Sequence, residues 1–259
     1  MEKRETLKSR RENALYTNGF IWAGNGKLLD YDDGVMSWRY AQFNVRAVQD
    51  CPCRTAGCEA VCYATKGNHV FPSVKASRER SYNESRRADF ADAVAYTIRT
   101  EKHSGRYKNA VMIVRVHESG DFYSIQYLKK WLTAWYELKN DDGVMFVFYT
   151  KSFPFFLMLN DLERAMLNEL LNAGKVVMNL SVDDTTTPEQ WRNYVAMRKA
   201  FPNANTYAVT EHTKDGDDVC DCENCAKCGA CNKATGGRKV VKIHSASNAD
   251  LVVYRANAK

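Results

Sequence analysis

The stretch "AVMIVRVHESGDFYSIQYLKKWLTAWYEL", residues 110–138, decides the fold. Its first seven residues are almost all apolar and rich in β-branched side chains, as expected of a strand covered on both faces. A short polar loop follows, His117-Glu118-Ser119-Gly120-Asp121. The pattern then turns helical, with Ile125, Leu128, Trp131, Leu132, Trp135 and Leu138 on one face. A buried strand that gives way to an amphipathic helix is half of a parallel βα unit, because parallel neighbours need a crossover between them.

The same alternation recurs on both sides. Further β-rich runs stand at 42–48, 144–150, 175–182, 205–210 and 240–244. A helix is expected over 154–172, started by Pro154, closed by Gly174, and striped by Phe155, Phe156, Leu159, Leu162, Met166 and Leu170. Another starts at Thr187 and Pro188, with Gln190 set for a capping box and Trp191 and Val195 facing inward. A long polar helix over 74–100 carries Phe90, Val94 and Ile98 late. Repeated βα units predict an α/β fold. The expected architecture is a partial (βα) barrel of about six parallel strands, with a Cys-rich metal-binding insert near the C-terminus. Periodicity alone leaves a doubly wound open sheet as the alternative. Residues 1–39 are an N-terminal extension, and 40–259 form the barrel domain, including the Cys-rich segment 220–231.

With 259 residues and a net charge of +6, the chain suits one large core and an anionic substrate or nucleic acid, without requiring either partner. Much of the charge lies in "KASRERSYNESRR", 75–87, which the bland reading makes a solvated helix face. No apolar stretch approaches a membrane span, and the charged start "MEKRETLKSRRENALY" has no apolar h-region. A cytoplasmic protein with no membrane partner is the expectation.

All nine cysteines fall in two clusters: Cys51, Cys53, Cys58 and Cys62, then Cys220, Cys222, Cys225, Cys228 and Cys231. Disulfides staple distant segments in oxidising compartments, whereas these thiols are bunched and odd in number. Metal or iron–sulfur ligation is the better reading. From Cys222 to Cys231 the spacers are two residues each, as in the tight runs that wrap iron–sulfur clusters, and the long spacer of a zinc ribbon is missing. One or two 4Fe–4S clusters are expected.

Both architectures put their sites at the carboxyl ends of the strands. There the first cluster follows the first strand and His117 to Asp121 follow the second. As an enzyme, the chain offers Glu118, Asp121, Lys151 and His212 as catalytic candidates, for electrostatic or acid–base work. His117, Ser119 and Gly120 are candidates for contacting a cofactor. His244 stands at the sixth strand end. Ser152, Asp183 and Asp184, taken singly, read better as helix N-caps.

The segments "GNGKLLDY", "CPCRTAGCEAVCYATK", "VRVHESGDFYSIQYLKKW" and "FVFYTKS", with the terminal C..C..C run and "VVKIH", resemble the phage gene product 88 family over residues 18–245. The resemblance implies an iron–sulfur-type bacteriophage protein of the host cytoplasm. The family signature CP…C…CYA is kept as Cys51-Pro52, Cys58 and Cys62-Tyr63-Ala64, while Cys53 is added and leaves the ligand set open. A more distant similarity is to radical S-adenosylmethionine enzymes, partial barrels with CxxxCxxC after the first strand. Here Cys58-x3-Cys62 matches, Thr65 stands where the third cysteine would fall, and Cys51 or Cys53 would replace it. That similarity implies S-adenosylmethionine as a cofactor and an electron donor as a partner. Three functions stay open: a redox or radical enzyme, a metal-stapled module binding nucleic acid or a host protein, and a plain electron carrier.

Overall fold

Strand β3 spans Ser37–Phe43 and ends where the apolar run 42–48 had predicted a strand to begin. Beyond it Val45 is buried by loop packing instead, its amide donating to the Ser119 carbonyl at 3.1 Å, while Ala47 and Val48 are half-buried. The computed structural model describes residues 6–23, 30–32, 34, 37–211, 219–220, 230–233, 235–243 and 247–258. The calls on His212, His244, Cys222, Cys225 and Cys228 lie outside the described residues.

The other parallel strands are β4 (Val111–Val116), β5 (Val144–Thr150), β6 (Val176–Asp183), β7 (Asn205–Thr210) and β9 (Arg238–Lys242). They follow β3 in chain order across the sheet, each parallel to the last. Two-residue β8 (Val219–Cys220) adds a parallel edge to β9, while β1 (Phe20–Ile21) and β2 (Tyr31–Asp32) pair antiparallel with β3. The result is a mixed α/β fold on a central, mostly parallel sheet. Its pairing path runs from β1 to β8, and no ladder among the described residues joins the two ends.

Alternation along the strands separates two faces. Phe43, Val114, Phe146, Phe148, Met178 and Leu180 join the buried side chains of the helices in one large core. The opposite face carries a narrow band of Trp38, Tyr40, Ile113, Val147 and Val177, which no helix side chain joins. The helices of the large core are α4 (Phe90–Lys102), α5 (Ile125–Glu137), α6 (Phe153–Leu157), α7 (Asp161–Asn172) and α8 (Pro188–Ala200). Trp131 of α5 anchors it, edge-on to Phe43 and Phe90 at 5.3 Å each.

Three helix expectations change. The run 74–100 divides into α3 (Pro72–Ser85) and α4, because the first is polar all round and only the second has an apolar face. The run 154–172 divides because Asn160 caps α7, accepting from the Glu163 amide at 2.9 Å while Glu163 accepts from the Asn160 amide. Leu162 is consequently exposed. Helix α8 begins with the expected Thr187–Gln190 capping box, yet Trp191 and Val195 are 43% and 62% exposed; Met197 is its buried residue. Short α1 (Leu7–Arg11), α2 (Ala56–Ala60) and a C-terminal α9 (Asn248–Asn257) were not anticipated. No described helix is long and apolar enough to cross a membrane.

Candidate functional site

The first two parallel strands leave the sheet through left-handed backbone at non-glycine residues, Val48 (φ 65°) and His117 (φ 64°). For a β-branched side chain this conformation costs about 1–2 kcal/mol, so it persists only where surrounding bonds impose it. The Val48 carbonyl accepts from the Cys51 amide at 3.2 Å, and the Arg54 guanidinium donates to the carbonyls of Val48 (3.3 Å) and Cys51 (3.1 Å). Asp50 takes the Arg46 amide at 2.7 Å and its guanidinium at 2.8 Å. The cysteine loop is therefore held by its own backbone carbonyls and two arginines.

Inside the loop, Thr55 caps α2 by accepting from the Cys58 amide at 3.1 Å, and its hydroxyl donates to Asp183 Oδ2 at 2.5 Å. Gly57 permits the close approach: a Cβ there would come within 2.6 Å of the Tyr254 ring and 2.7 Å of Thr185. Two short 3₁₀ turns, Tyr63–Thr65 and Gly67–Val70, complete the loop. Buried Arg78 of α3 holds them, donating to the Ala64 carbonyl at 2.9 Å and meeting His69 Nδ1 at 2.7 Å. Burial and the Arg78 charge both lower the His69 pKa, which keeps the imidazole neutral and able to accept.

Cys51, Cys53, Cys58 and Cys62 are half-buried thiols in no disulfide. Burial pushes Cys58 up to about 11 against the pull of the Lys151 ammonium, with Asp183, Cys62 and Asp121 adding to the rise. Burial likewise raises Cys51, which also feels Asp121, Cys58 and Cys62. Burial and Asp121 lift Cys53 to about 11, with Ser152 pulling the other way. Cys58 and Cys62 both raise Cys51, and Cys62 raises Cys58, so these three thiols act on one another electrostatically. Among the described residues, no three His, Cys, Asp or Glu side chains converge closely enough for a single metal ion.

The neighbouring strand ends close the cup. Gly120 (φ 82°) lies so near Val45 that a Cβ would meet its Cγ2 at 2.3 Å. This turn delivers Asp121, buried beside the thiols, whose carboxylate accepts from the Thr150 hydroxyl (2.8 Å) and the amides of Phe122 (2.7 Å) and Lys151 (2.9 Å). Burial raises its pKa, and those donors oppose the rise. Lys151 Nζ stands 2.8 Å from Asp183 Oδ2, off the direction of a hydrogen bond, so this buried ammonium keeps its N–H donors for another partner. Burial pushes the Asp183 carboxyl up, but Lys151, Thr185 and Thr55 together hold it below the usual carboxylate range.

Of the other candidates, Glu118 lies at the mouth, its amide on Asn44 Oδ1 (2.7 Å) and its carbonyl accepting from the Tyr63 hydroxyl. The Ser119 hydroxyl donates to the Val45 carbonyl at 3.0 Å. His117 turns into the helix-side core, 4.7 Å from Phe122 by ring centroid and 2.8 Å from the Tyr127 hydroxyl. Burial and Arg115 lower its pKa to about 3. Its ring is thus core packing rather than part of the cup. From the second cluster, Cys231 reaches the helix-free face of the sheet, where its carbonyl accepts from Asn179 at 3.2 Å and its thiol bonds Tyr149. Cys220 ends β8. The segment is tied down further by Asn232 to the Tyr40 hydroxyl (2.7 Å) and by Asn205 to the Lys233 carbonyl (2.8 Å).

Sequence reasoning set Asp183 aside as a helix cap and passed over Thr55, Asn44, Arg78 and Arg115. Of these four, Arg115 left the clearest signal, a lone charge inside the apolar run "VMIVRV". Nor did it foresee α9, which packs on α2 where Gly57 meets the Tyr254 ring, and which is tied to neighbouring loops by a Lys66–Asp250 ion pair and by the Tyr254 hydroxyl at 3.2 Å from Asp184 Oδ2. Compared with known proteins, residues 3–234 match the family model for Gene product 88. No curated protein and no solved structure matches the chain.

Proposed function

This chain belongs to the gene product 88 family, a bacteriophage protein family, and we propose that it is an iron–sulfur protein holding one cluster on Cys51, Cys58 and Cys62. The gathering of four half-buried free thiols in one loop, pinned by Thr55 on Asp183 and by Arg78 on Ala64, carries the reading, and the mutual influence of Cys51, Cys58 and Cys62 supports it. A cuboidal cluster spaces its thiolates more widely than one ion does, which fits thiols that feel one another without meeting at a point. Buried thiols near Asp121 and Asp183 also favour a cationic guest over free thiolates. Strand order that follows chain order, with the covering helices on one face, supports a sheet curled into a partial (βα) barrel, since doubly wound sheets carry helices on both faces.

Bound there, a cluster with one iron free of protein ligands supplies one-electron chemistry to a substrate or to S-adenosylmethionine. The Lys151 ammonium, held by Asp183, offers its remaining donors to whatever enters beside Cys58. Glu118, whose carboxylate accepts from Asn44 Nδ2 at 3.4 Å, stands beside Tyr63, and Asp121 fixes the Lys151 backbone. Cys220, Cys222, Cys225, Cys228 and Cys231 would supply an auxiliary cluster. The work would be done in the host cytoplasm with an external electron donor.

A metal-stapled nucleic-acid module has less support. The arginines of the 75–87 run are largely engaged within the fold: Arg78 is buried, Arg80 bonds the Asn18 carbonyl (3.2 Å), and Arg87 pairs with Glu84 and Asp89.

The test is iron and sulfide content of anaerobically purified protein, with spectra of the reduced form with and without S-adenosylmethionine. Alanine at Cys51, Cys58 or Cys62 should each remove about half of the iron if two clusters are present, and Cys53→Ala should keep it. Full iron in the Cys58→Ala, Cys62→Ala double variant sinks the assignment.

A further inference from the structure

We propose that Arg115 is the docking point for an oxyanion of the substrate, a carboxylate or phosphate group bound against the helix-free face beneath the cysteine loop. The inference deepens the reading above by naming the substrate's chemistry, and it does not depend on the metal.

Arg115 is the penultimate residue of β4, half-buried on the same face as Ile113 and beside Gln42 and Val147 in register. A charge there is costly unless something compensates it. Other arginines of this chain are compensated: Arg46 by Asp50, Arg54 by Glu59, Arg87 by Asp89, Arg106 by Asp30. Buried Arg78 has the Ala64 carbonyl and His69. The Arg115 side chain makes no hydrogen bond or ion pair with any described residue, and its Nε is buried without an acceptor.

Its geometry is nonetheless fixed. The guanidinium carbon lies 3.8 Å from the centroid of the Tyr149 ring, a stacking contact that sets the plane and leaves the N–H edge free. Tyr149 is itself held edge-on to Tyr207 at 4.6 Å and by the Cys231 thiol. A planar fork of donors, preoriented by stacking and lacking a protein acceptor, matches the two oxygens of a carboxylate or phosphate. Its place is also apt, because the Tyr63 phenol feels both the Arg115 charge and the Cys62 thiol. An anionic group on Arg115 would therefore hold the rest of the molecule near Tyr63 and Tyr149.

The test is arginine modification of the full-length, anaerobically purified protein by phenylglyoxal, read site by site by mass spectrometry. Runs with inorganic phosphate, with succinate, and with sodium chloride at matched ionic strength distinguish the two oxyanion classes from simple screening. At least one oxyanion should slow Arg115 modification about fivefold or more relative to chloride and leave Arg106 unchanged. The same oxyanion should raise the melting temperature of the parent protein but not of Arg115→Gln, with circular dichroism showing that the variant is folded. No slowing by either oxyanion, equal slowing at Arg106, or an unchanged melting response in Arg115→Gln overturns the proposal. Iron measured on the same samples separates the two claims: protection in iron-free protein supports the oxyanion site while the cluster assignment fails, and an iron-loaded protein without protection does the reverse.

Discussion

Lys151 and Asp183, at the ends of adjacent strands, face each other at 2.8 Å with side chains only 10% and 3% exposed. Asp183 also collects the hydroxyls of Thr55 (2.5 Å) and Thr185 (2.6 Å), so it joins the cysteine loop to β5 and β6. Removing one partner leaves the other charge buried and unmatched. Asp183→Ala should cost about 3–5 kcal/mol in urea unfolding. The double change with Lys151→Met should recover part of that loss. A double variant as unstable as the sum of the single changes would mean the pair is not coupled.

Gly120 should tolerate no side chain. Left-handed backbone alone costs an alanine about 1–2 kcal/mol. At Gly120 a Cβ would also strike Val45 at 2.3 Å, whereas at Gly174 (φ 67°) nothing lies within 4 Å. Gly120→Ala should thus lower stability by clearly more than Gly174→Ala, the difference measuring the contact. Equal losses at the two sites would show that the loop yields without strain.

The core prediction concerns tryptophans. Trp131 is fully buried among Phe43, Phe90 and Tyr127, and its replacement by alanine should cost about 3–5 kcal/mol. Trp191, 43% exposed on α8, should lose about 1 kcal/mol or less on the same change. Comparable denaturant midpoints for the two variants would contradict the assignment of faces.

A pH dependence follows from the C-terminal helix. The Lys66 side chain, with the Ser247 amide and hydroxyl, holds Asp250 down at about 2. A depressed carboxylate pKa gives stability that is present above the unfolded value near 3.9 and is lost as pH falls through the folded one. Amide hydrogen exchange in α9, corrected for intrinsic rates, should accelerate between about pH 4 and pH 2. Asp250→Asn should flatten that dependence. The same acceleration in the variant would assign the loosening to another group.

The alternating strands and α5 were legible because long apolar periods leave little choice of element. The break near 86–89 was not, because polar α3 has no apolar stripe whose end could be read, and the break at Asn160 was not, because it depends on a local cap that a continuous stripe conceals. Nor can a stripe show whether it meets a neighbour, which is why Trp191 and Val195 looked buried. Asp183 looked like an ordinary cap because its partner Thr55 lies 128 residues away in sequence. The first cysteine cluster was legible as a unit. The contacts that pin its far side were not, because Asp183 and Arg78 come from elements outside the loop.

The packing of α9 on α2 also sets an order of events during synthesis. The cysteine loop leaves the ribosome nearly two hundred residues before the helix that covers it. At about 5–20 residues per second, that interval lasts on the order of ten seconds or more. For that time Gly57 and Lys66 stand without Tyr254 and Asp250, and the loop rests on the contacts made by Arg46, Arg54 and Arg78.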